Sequence, residues 1–195
     1  HALQPLYLLD ITTNFGRNSL PKLINSTIKE SFVTISNSAE VVAGWYLIVE
    51  LLLKALADEQ EQQKLFDKLL AYLRFFSKES EVAKFVPTAL IKFKLELFAL
   101  IGMGLNIPEK INGKNLWKFS ADRGFFADSK TGNFVPDTLV TLAISINNLP
   151  LPQLPLDHPG LRQLDLLIDS FVYFQLERQI NSQVYANSLW YNSTK

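Results

Sequence analysis

The sequence predicts a mainly α fold, in which a helical bundle carries a small irregular or hairpin insert and follows two short β-strands. The main observation is the stretch 39–57, which is apolar on nearly every side and has Glu50 and Lys54 as its only charges after Glu40. A helix of that kind lies at the centre of a helical domain or in a membrane. Helical periodicity elsewhere, and its loss over 106–136, complete the prediction.

Two apolar stretches near the start of the chain, 3–12 and 20–24, are short enough to be strands and are separated by turn residues. Two strands alone are only marginally stable in water. We therefore expect them to be the last strands of a sheet whose earlier part is absent from this chain. Because the only methionine is Met103, we also expect the chain to be a fragment without its N-terminal portion.

The central helix is predicted to begin at Asn37, because Glu40 follows three residues later as in a capping box. Glu50 and Lys54 are four residues apart with the acid first, which favours an ion pair along one edge of the helix. Charges in the second half of a membrane-spanning segment are costly. The stretch is therefore interpreted as a core helix, and no contact with a membrane is expected.

Two further helices are expected to pack on this centre. Residues 58–76 have apolar side chains on one face and charged ones on the other, which is typical of a surface helix. Pro87 marks the start of a third helix over 88–105, and its uncharged part, 97–103, is expected to be buried. The charged residues of its first half, which is expected to contact solvent, are Lys92, Lys94 and Glu96.

The last third of the chain is predicted to be helical apart from one connector. Asp137 can cap a short helix over 137–146, and four prolines make 149–159 a rigid connector. Asp157 is predicted to cap a long helix over 159–180. The following 181–195 segment is polar except for Val184, Tyr185 and the cluster Leu189-Trp190-Tyr191, and this cluster is expected to dock onto the domain.

Composition excludes several classes of function. The 195 residues contain no cysteine and only two histidines, so disulfides and thiolate metal sites are excluded and a histidine-rich metal site is not expected. No phosphate-binding glycine loop or serine-nucleophile elbow is present. A catalytic site would have to combine His158 with Asp165 and Asp169, but these residues are better explained as an exposed loop histidine and a solvated helix face.

Charge is unevenly distributed although the whole chain is neutral, with 19 basic and 19 acidic residues. The segment 84–130 is net positive, and aromatic residues alternate with its cations. Cations beside flat rings suit single-stranded nucleic acid or an acidic peptide with an aromatic end. The alternative is that these lysines only solvate a surface over buried rings. The basic residues are Lys84, Lys92, Lys94, Lys110, Lys114, Lys118, Arg123 and Lys130, and the rings are Trp117, Phe119, Phe125 and Phe126.

Three stretches in order resemble the RecO recombination-mediator family of bacteria. Leu3-Gln4-Pro5-Leu6 is similar to a strand near the end of the N-terminal OB fold of that family. Residues 44–56 (GWYLIVELLLKAL) resemble the start of its helical domain, and 92–104 (KFKLELFALIGMG) resemble a later helix. Residues 119–126 (FSADRGFF) are a weaker match to a hairpin of the family.

The resemblance implies two units: 1–36 as the last strands of an incomplete OB fold, and 37–195 as the C-terminal helical domain with the insert 106–136. Many members of the family hold zinc with two cysteine pairs. The matching regions here, 109–113 and 127–130, have no cysteine, so neither a metal nor any other cofactor is expected.

The function implied by the resemblance is non-enzymatic. Members bind single- and double-stranded DNA, anneal complementary strands, and act with RecR to load RecA onto strands coated by single-stranded DNA-binding protein (SSB), whose acidic C-terminal tail some members bind. Such a protein would be cytoplasmic and associated with the nucleoid. The alternative is a helical protein-interaction scaffold without nucleic-acid binding. The expected DNA- and SSB-binding residues are Lys92, Lys94, Lys110, Lys114, Lys118 and Arg123, with Phe93 and Trp117 structural.

Overall fold

The structure, a computed structural model, describes residues 6–14, 21–56, 62–78, 81–111, 116–128 and 134–191. Over these ranges it contains six α-helices and two antiparallel two-stranded sheets, which confirms the predicted mainly α class. None of these helices is long and apolar enough to cross a bilayer. The elements are β1 (Tyr7–Asn14), β2 (Lys22–Ser31), α1 (Ala39–Ala55), α2 (Gln63–Lys78), α3 (Val86–Leu100), β3 (Trp117–Ser120), β4 (Gly124–Ala127), α4 (Asp137–Asn148), α5 (Leu161–Leu176) and α6 (Asn181–Tyr191).

Helix α3 is the most buried element and contacts α1, α4 and α5. Pro87 lies in its first turn, as predicted. The expected distribution of burial along this helix is wrong, because the charged first half lies in the core while Ala99 and Met103 are exposed. Lys92 and Lys94 enter the interior because their ammonium groups find oxygen partners on other helices.

Helix α1 is a core helix, and the Glu50–Lys54 ion pair is present with 2.6 Å between Lys54 Nζ and Glu50 Oε1. The predicted cap is wrong by one residue: Ser38, not Asn37, accepts the Val41 N–H through its hydroxyl. Gly44 allows α1 to approach α3 closely, since a Cβ there would lie 2.9 Å from Val86 Cγ1. The inward-facing residues of α1 are Val41, Ala43, Gly44, Leu47, Ile48 and Leu51.

Helix α2 is a surface helix, as predicted, and it buries Leu65, Tyr72, Phe75 and Phe76. Strands β1 and β2 form a ribbon in which β2 continues to Ser31, beyond the predicted stretch 20–24. Residues 1–5 and 15–20 lie outside the described ranges. Arg74 of α2 donates to both carboxylate oxygens of Glu30 on β2, with 2.8 to 3.2 Å between the atoms. This ion pair links the ribbon to the helical body.

The connector after α4 contains one short 3-10 helix, Leu151–Gln153, and α5 begins two residues later than expected. No side chain caps α5; the imidazole Nδ1 of His158 instead accepts the Gly160 N–H at 3.0 Å. Helix α5 also ends early, at Leu176, because Glu177 adopts a left-handed conformation with φ 51°.

Helix α6 follows where only a polar segment was expected. It packs on α1, which confirms the docking of the aromatic cluster.

Candidate nucleic-acid interface

The insert is built on the hairpin of β3 and β4, as predicted for this region. Trp117 and Phe125 are 6% and 0% exposed, so both rings are anchors to the core and not stacking surfaces. Asn106 fixes the hairpin to the preceding segment: its amide donates to Phe125 O at 2.8 Å and its carbonyl accepts the Phe125 N–H at 2.9 Å. The turn dipeptides at 112–113 and 131–132 lie outside the described residues.

Gly124 is the residue on which this close packing depends. Its φ is +79°, a conformation that favours glycine. A Cβ at this position would lie 2.7 Å from Asn106 O and 2.8 Å from Asn106 N, which are backbone atoms. Arg123, which precedes Gly124 in the hairpin turn, has an exposed side chain.

Arg123 and Lys110 are exposed cations on the insert. The Arg123 side chain is 72% exposed and its Nε lies 3.4 Å from the carboxylate of Asp122. Lys110 is exposed on the segment between α3 and β3. These two residues therefore occupy solvent-facing positions of the kind that phosphate contact requires. Lys114 belongs to the same segment but lies outside the described residues.

Lys118 has a mixed environment in the hairpin. Its Nζ lies 3.0 Å from Asp128 Oδ2, and the side chain is 15% exposed. The same ammonium lies 5.4 Å from the centre of the Phe134 ring, within the range of a cation–π contact. Phe134 is 40% exposed. It was missed at the sequence level, although an aromatic residue directly after a turn-rich stretch is a usable signal for an exposed ring.

Lys92 lies inside the protein. Its ammonium donates to the carbonyls of Ile146 and Asn147 at 3.1 and 2.9 Å, and Glu96 is 3.4 Å away. These carbonyls belong to the last turn of α4, where a cation offsets the partial negative charge of the helix end. With the residue only 7% exposed, its contacts are those of a helix cap.

Lys94 is more deeply buried, at 1% exposure, and it is held between two carboxylates of α5. Its Nζ lies 2.8 Å from Asp165 Oδ1 and 2.5 Å from Asp169 Oδ1. The interpretation of these aspartates as a solvated face is wrong, because Asp165 lies on the buried stripe of α5 with Leu161, Leu164 and Ile168. Its position on that stripe was the available signal.

The electrostatics of this cluster follow from burial and pairing. Burial lowers the pKa of Lys94, but the two carboxylates outweigh it and the net pKa is raised. Burial also raises the pKa of Asp169, to about 6, with Asp165 adding repulsion and Lys94 opposing the shift. Tyr191 of α6 donates its hydroxyl to Asp165 Oδ2 at 3.1 Å, so the cluster also holds α6.

The residues considered for catalysis do not share one cavity. Lys94 and Asp169 border a cavity of about 290 Å³ between α5 and α6, whereas His158 borders another, of about 240 Å³, beside α4. Over the described ranges, no group of three or more histidine, aspartate or glutamate side chains could hold a metal ion. Asp128, beside the end of β4, pairs with Lys118.

The fold is that of a helical domain with a β-hairpin insert, and Lys110 and Arg123 are exposed on this insert. The model of the family described as "Recombination protein O C terminal" matches residues 37–183, which is well over half of the chain. The chain therefore belongs to this family, whose members act in DNA recombination and repair. Comparison with curated proteins finds no match.

Proposed function

We propose that this chain is part of a non-enzymatic recombination mediator that binds DNA and SSB, anneals complementary strands and assists RecA loading together with RecR at the bacterial nucleoid. The observation that carries the proposal is the family match over residues 37–183. The insert supports it, because cations and an exposed ring are available there. We propose Lys110, Lys114, Lys118 and Arg123 as contacts to the phosphate chain, with Phe134 stacking on a base.

Lys92 and Lys94 are left out of the proposed contact surface. The ammonium group of Lys92 already donates to carbonyls at the end of α4, and that of Lys94 already pairs with two aspartates. Moving either ammonium to a phosphate would leave buried oxygens without a partner, which costs about 1–3 kcal/mol for each group and more when it is charged. Lys118 stays in the proposed contact surface, because its pair with Asp128 is partly exposed and water can solvate the carboxylate if the lysine moves.

The test is binding of a fluorescent single-stranded oligonucleotide over a range of salt concentrations. The variant with Lys110→Glu and Arg123→Glu should bind more weakly. The slope of log K against log salt, which is negative, should become shallower by about 1.4 because two single-strand contacts are lost. Its matched control carries Lys64→Glu and Lys78→Glu, two exposed lysines of α2, and has the same net charge. Equal binding by both variants would place the contact surface outside the insert.

Stacking is tested separately from charge. Phe134→Ala should weaken single-strand binding by about 1–3 kcal/mol while leaving the salt slope unchanged, because a ring contributes no counterion release. The control is Phe66→Ala on α2, a ring that is 49% exposed. A duplex of the same length tests whether Phe134 acts only on unpaired bases.

The partners are tested by three further measurements. An acidic peptide ending in phenylalanine, as in the SSB tail, should bind at low salt and lose affinity in the Lys110→Glu, Arg123→Glu variant. Co-purification with RecR and stimulation of RecA filament growth on SSB-coated strands would test the mediator activity. If none of these is seen while oligonucleotides bind, the proposal reduces to a DNA-binding domain.

A protein-interaction scaffold without nucleic-acid binding is the second candidate, and one observation favours it. Tyr46, Val49 and Leu53 lie on one side of α1 at helical spacing and are 66%, 37% and 78% exposed. Exposed apolar side chains that lie together are typical of a surface for another protein. Absence of oligonucleotide binding at low salt, together with binding of a protein partner that Leu53→Lys removes, would favour this function over the first.

A further inference from the structure

The junction between α5 and α6 is bent although it contains no glycine or proline. Residues 161–191 contain neither glycine nor proline, so nothing in their covalent structure ends the helix at Leu176. The bend depends on Glu177, whose φ of 51° is a left-handed conformation that glutamate rarely adopts. The turn is held by tertiary contacts between this junction and α1.

Those contacts hold α6 mainly to α1. Glu50 of α1 caps the start of α6: its carboxylate accepts the Asn181 N–H at 2.9 Å and the Ser182 N–H at 2.8 Å. Lys54, which pairs with Glu50, donates to the carbonyl of Gln179. A carboxylate at a helix N-terminus also interacts favourably with the helix dipole. The cap comes from a residue more than 130 positions earlier in the chain, so a second copy of the chain could supply it equally well.

The far end of α6 folds back to the start of α5. Tyr191 donates to Asp165, and its ring centre lies 5.8 Å from the guanidinium carbon of Arg162. All these contacts join α6 to a body formed by the rest of the chain. They would be reproduced without change if α6 of one copy lay on the body of another.

We propose that the chain exchanges α6 between two copies: α5 and α6 straighten into one helix through Glu177, and each α6 docks on α1 of the second copy. The exchange removes two left-handed glutamates per dimer and keeps the Glu50 cap and the Tyr191–Asp165 hydrogen bond. The resulting dimer has twofold symmetry, because each copy gives and receives the same element. This inference does not depend on DNA binding.

The first test changes the hinge alone. Glu177→Gly makes the left-handed turn easy and the straight helix less favourable, whereas Glu177→Ala keeps the cost of the turn and is the matched control. After refolding at high protein concentration, light scattering coupled to size exclusion should show dimer for the wild type and for Glu177→Ala. The dimer association constant of Glu177→Gly should be lower than that of the wild type by about fivefold for each hinge. Because the dimer has two hinges, the total decrease should be about 25-fold.

The second test measures the straight helix directly. The chain has no cysteine, so Gln163→Cys and Ser188→Cys, both at exposed positions, introduce the only spin-label sites. Labelled chains are refolded with an excess of unlabelled chains, so that only distances within one chain are seen. The dimer fraction should show a distance of about 37 Å, the length of 25 helical residues, and the monomer a much shorter one.

Three results would overturn the proposal. One is a chain that stays monomeric at the highest concentration it reaches. Another is a dimer that shows only the short distance within each chain, since it would form without exchange of α6. The last is equal dimer formation by Glu177→Gly and Glu177→Ala. Circular dichroism of each variant confirms that the monomers compared are folded.

Discussion

At the scale of single residues, the buried lysine of α3 is the clearest case of charge controlling stability. Lys94→Met should destabilise the protein by about 3–5 kcal/mol, because two carboxylates would remain buried without their cation. The matched control is Lys84→Met, which removes an ion pair with Glu81 whose lysine side chain is 54% exposed and should therefore cost far less than the Lys94 substitution. Urea unfolding of the three proteins at neutral pH measures both differences.

Equal loss of stability in the two variants would contradict the cluster as described. A double variant, Lys94→Met with Asp165→Asn, distinguishes the cause. If uncompensated charge is responsible, the second substitution should recover part of the lost stability; if lost packing is responsible, it should not.

Asp169 makes a separate prediction about pH. Its folded pKa of about 6 lies above the ordinary value of 3.8, so in this window the folded state holds the proton more tightly than the unfolded chain. The contribution of Asp169 is therefore complete below about pH 3.8 and is lost as the pH rises through 6. Relative to Asp169→Asn, the wild type should lose roughly 2 kcal/mol of stability between pH 4 and pH 8.

The measurement is the difference in unfolding free energy between these two proteins at each pH. The other titrating groups change alike in both proteins and cancel, apart from those in contact with Asp169. A difference that is constant with pH would mean that Lys94 keeps Asp169 ionised throughout. A difference that grows in favour of the wild type as the pH rises would mean that the folded protein lowers the pKa of Asp169, contrary to the prediction.

Prediction from sequence was weakest at this scale. Lys92, Lys94, Asp165 and Asp169 were all expected to contact solvent, because a charged residue type was given more weight than its position on an apolar stripe. The positions were informative: Asp165 belongs to the same helix face as Leu161 and Ile168. The pairing itself joins residues 71 positions apart, which local patterns do not encode.

At the scale of elements, the hairpin insert offers a test with two glycines of similar conformation. Gly124 and Gly102 have φ values of +79° and +82°, but only Gly124 is in close contact with backbone, since a Cβ at Gly102 would meet no atom within 4 Å. Gly102→Ala should cost about 1–2 kcal/mol for the left-handed conformation. Gly124→Ala should cost about 1–3 kcal/mol more, because its Cβ would force the backbone of Asn106 to move.

Thermal unfolding measures the two costs. Amide exchange of Phe125, whose N–H donates to Asn106, reports the position of the hairpin. Equal destabilisation by the two substitutions would show that the hairpin shifts freely. In that case Asn106 would not be the residue that positions Arg123 at the turn.

Sequence reasoning did better with elements than with residues, and its errors have a common physical cause. Periodicity placed α1, α2, α3 and α4 within a few residues, because each helix carries its own apolar face. Helix α5 was placed as closely, but α6 was expected only as a polar segment with a docked aromatic cluster. Its first turn is capped by Glu50 of α1, a contact that local patterns do not encode.

At the scale of the whole molecule, the ribbon and the helical body are expected to differ in stability. Helix α3 is buried on nearly every side, whereas the ribbon exposes Ile11, Ile24 and Ile28 at 54%, 64% and 50%. Exposed β-branched side chains of this kind would suit a sheet with further strands. The division of the chain into 1–36 and 37–195 stays a prediction. Elements with few buried contacts open at lower free energy than the core.

Hydrogen exchange can test this difference together with the ion pair that joins the two parts. Amides of β1 and β2 should exchange well before those of α3, because global unfolding is needed to expose α3. Arg74→Ala removes the two-oxygen contact with Glu30, so exchange in the ribbon should be faster while exchange in α3 is unaffected. Lys64→Ala, an exposed substitution on the same helix, is the control.

If Arg74→Ala accelerated hydrogen exchange equally in the ribbon and in α3, the molecule would unfold as one cooperative unit. The apolar contacts of Tyr7 and Leu8 with the helices would then hold the ribbon as firmly as the core.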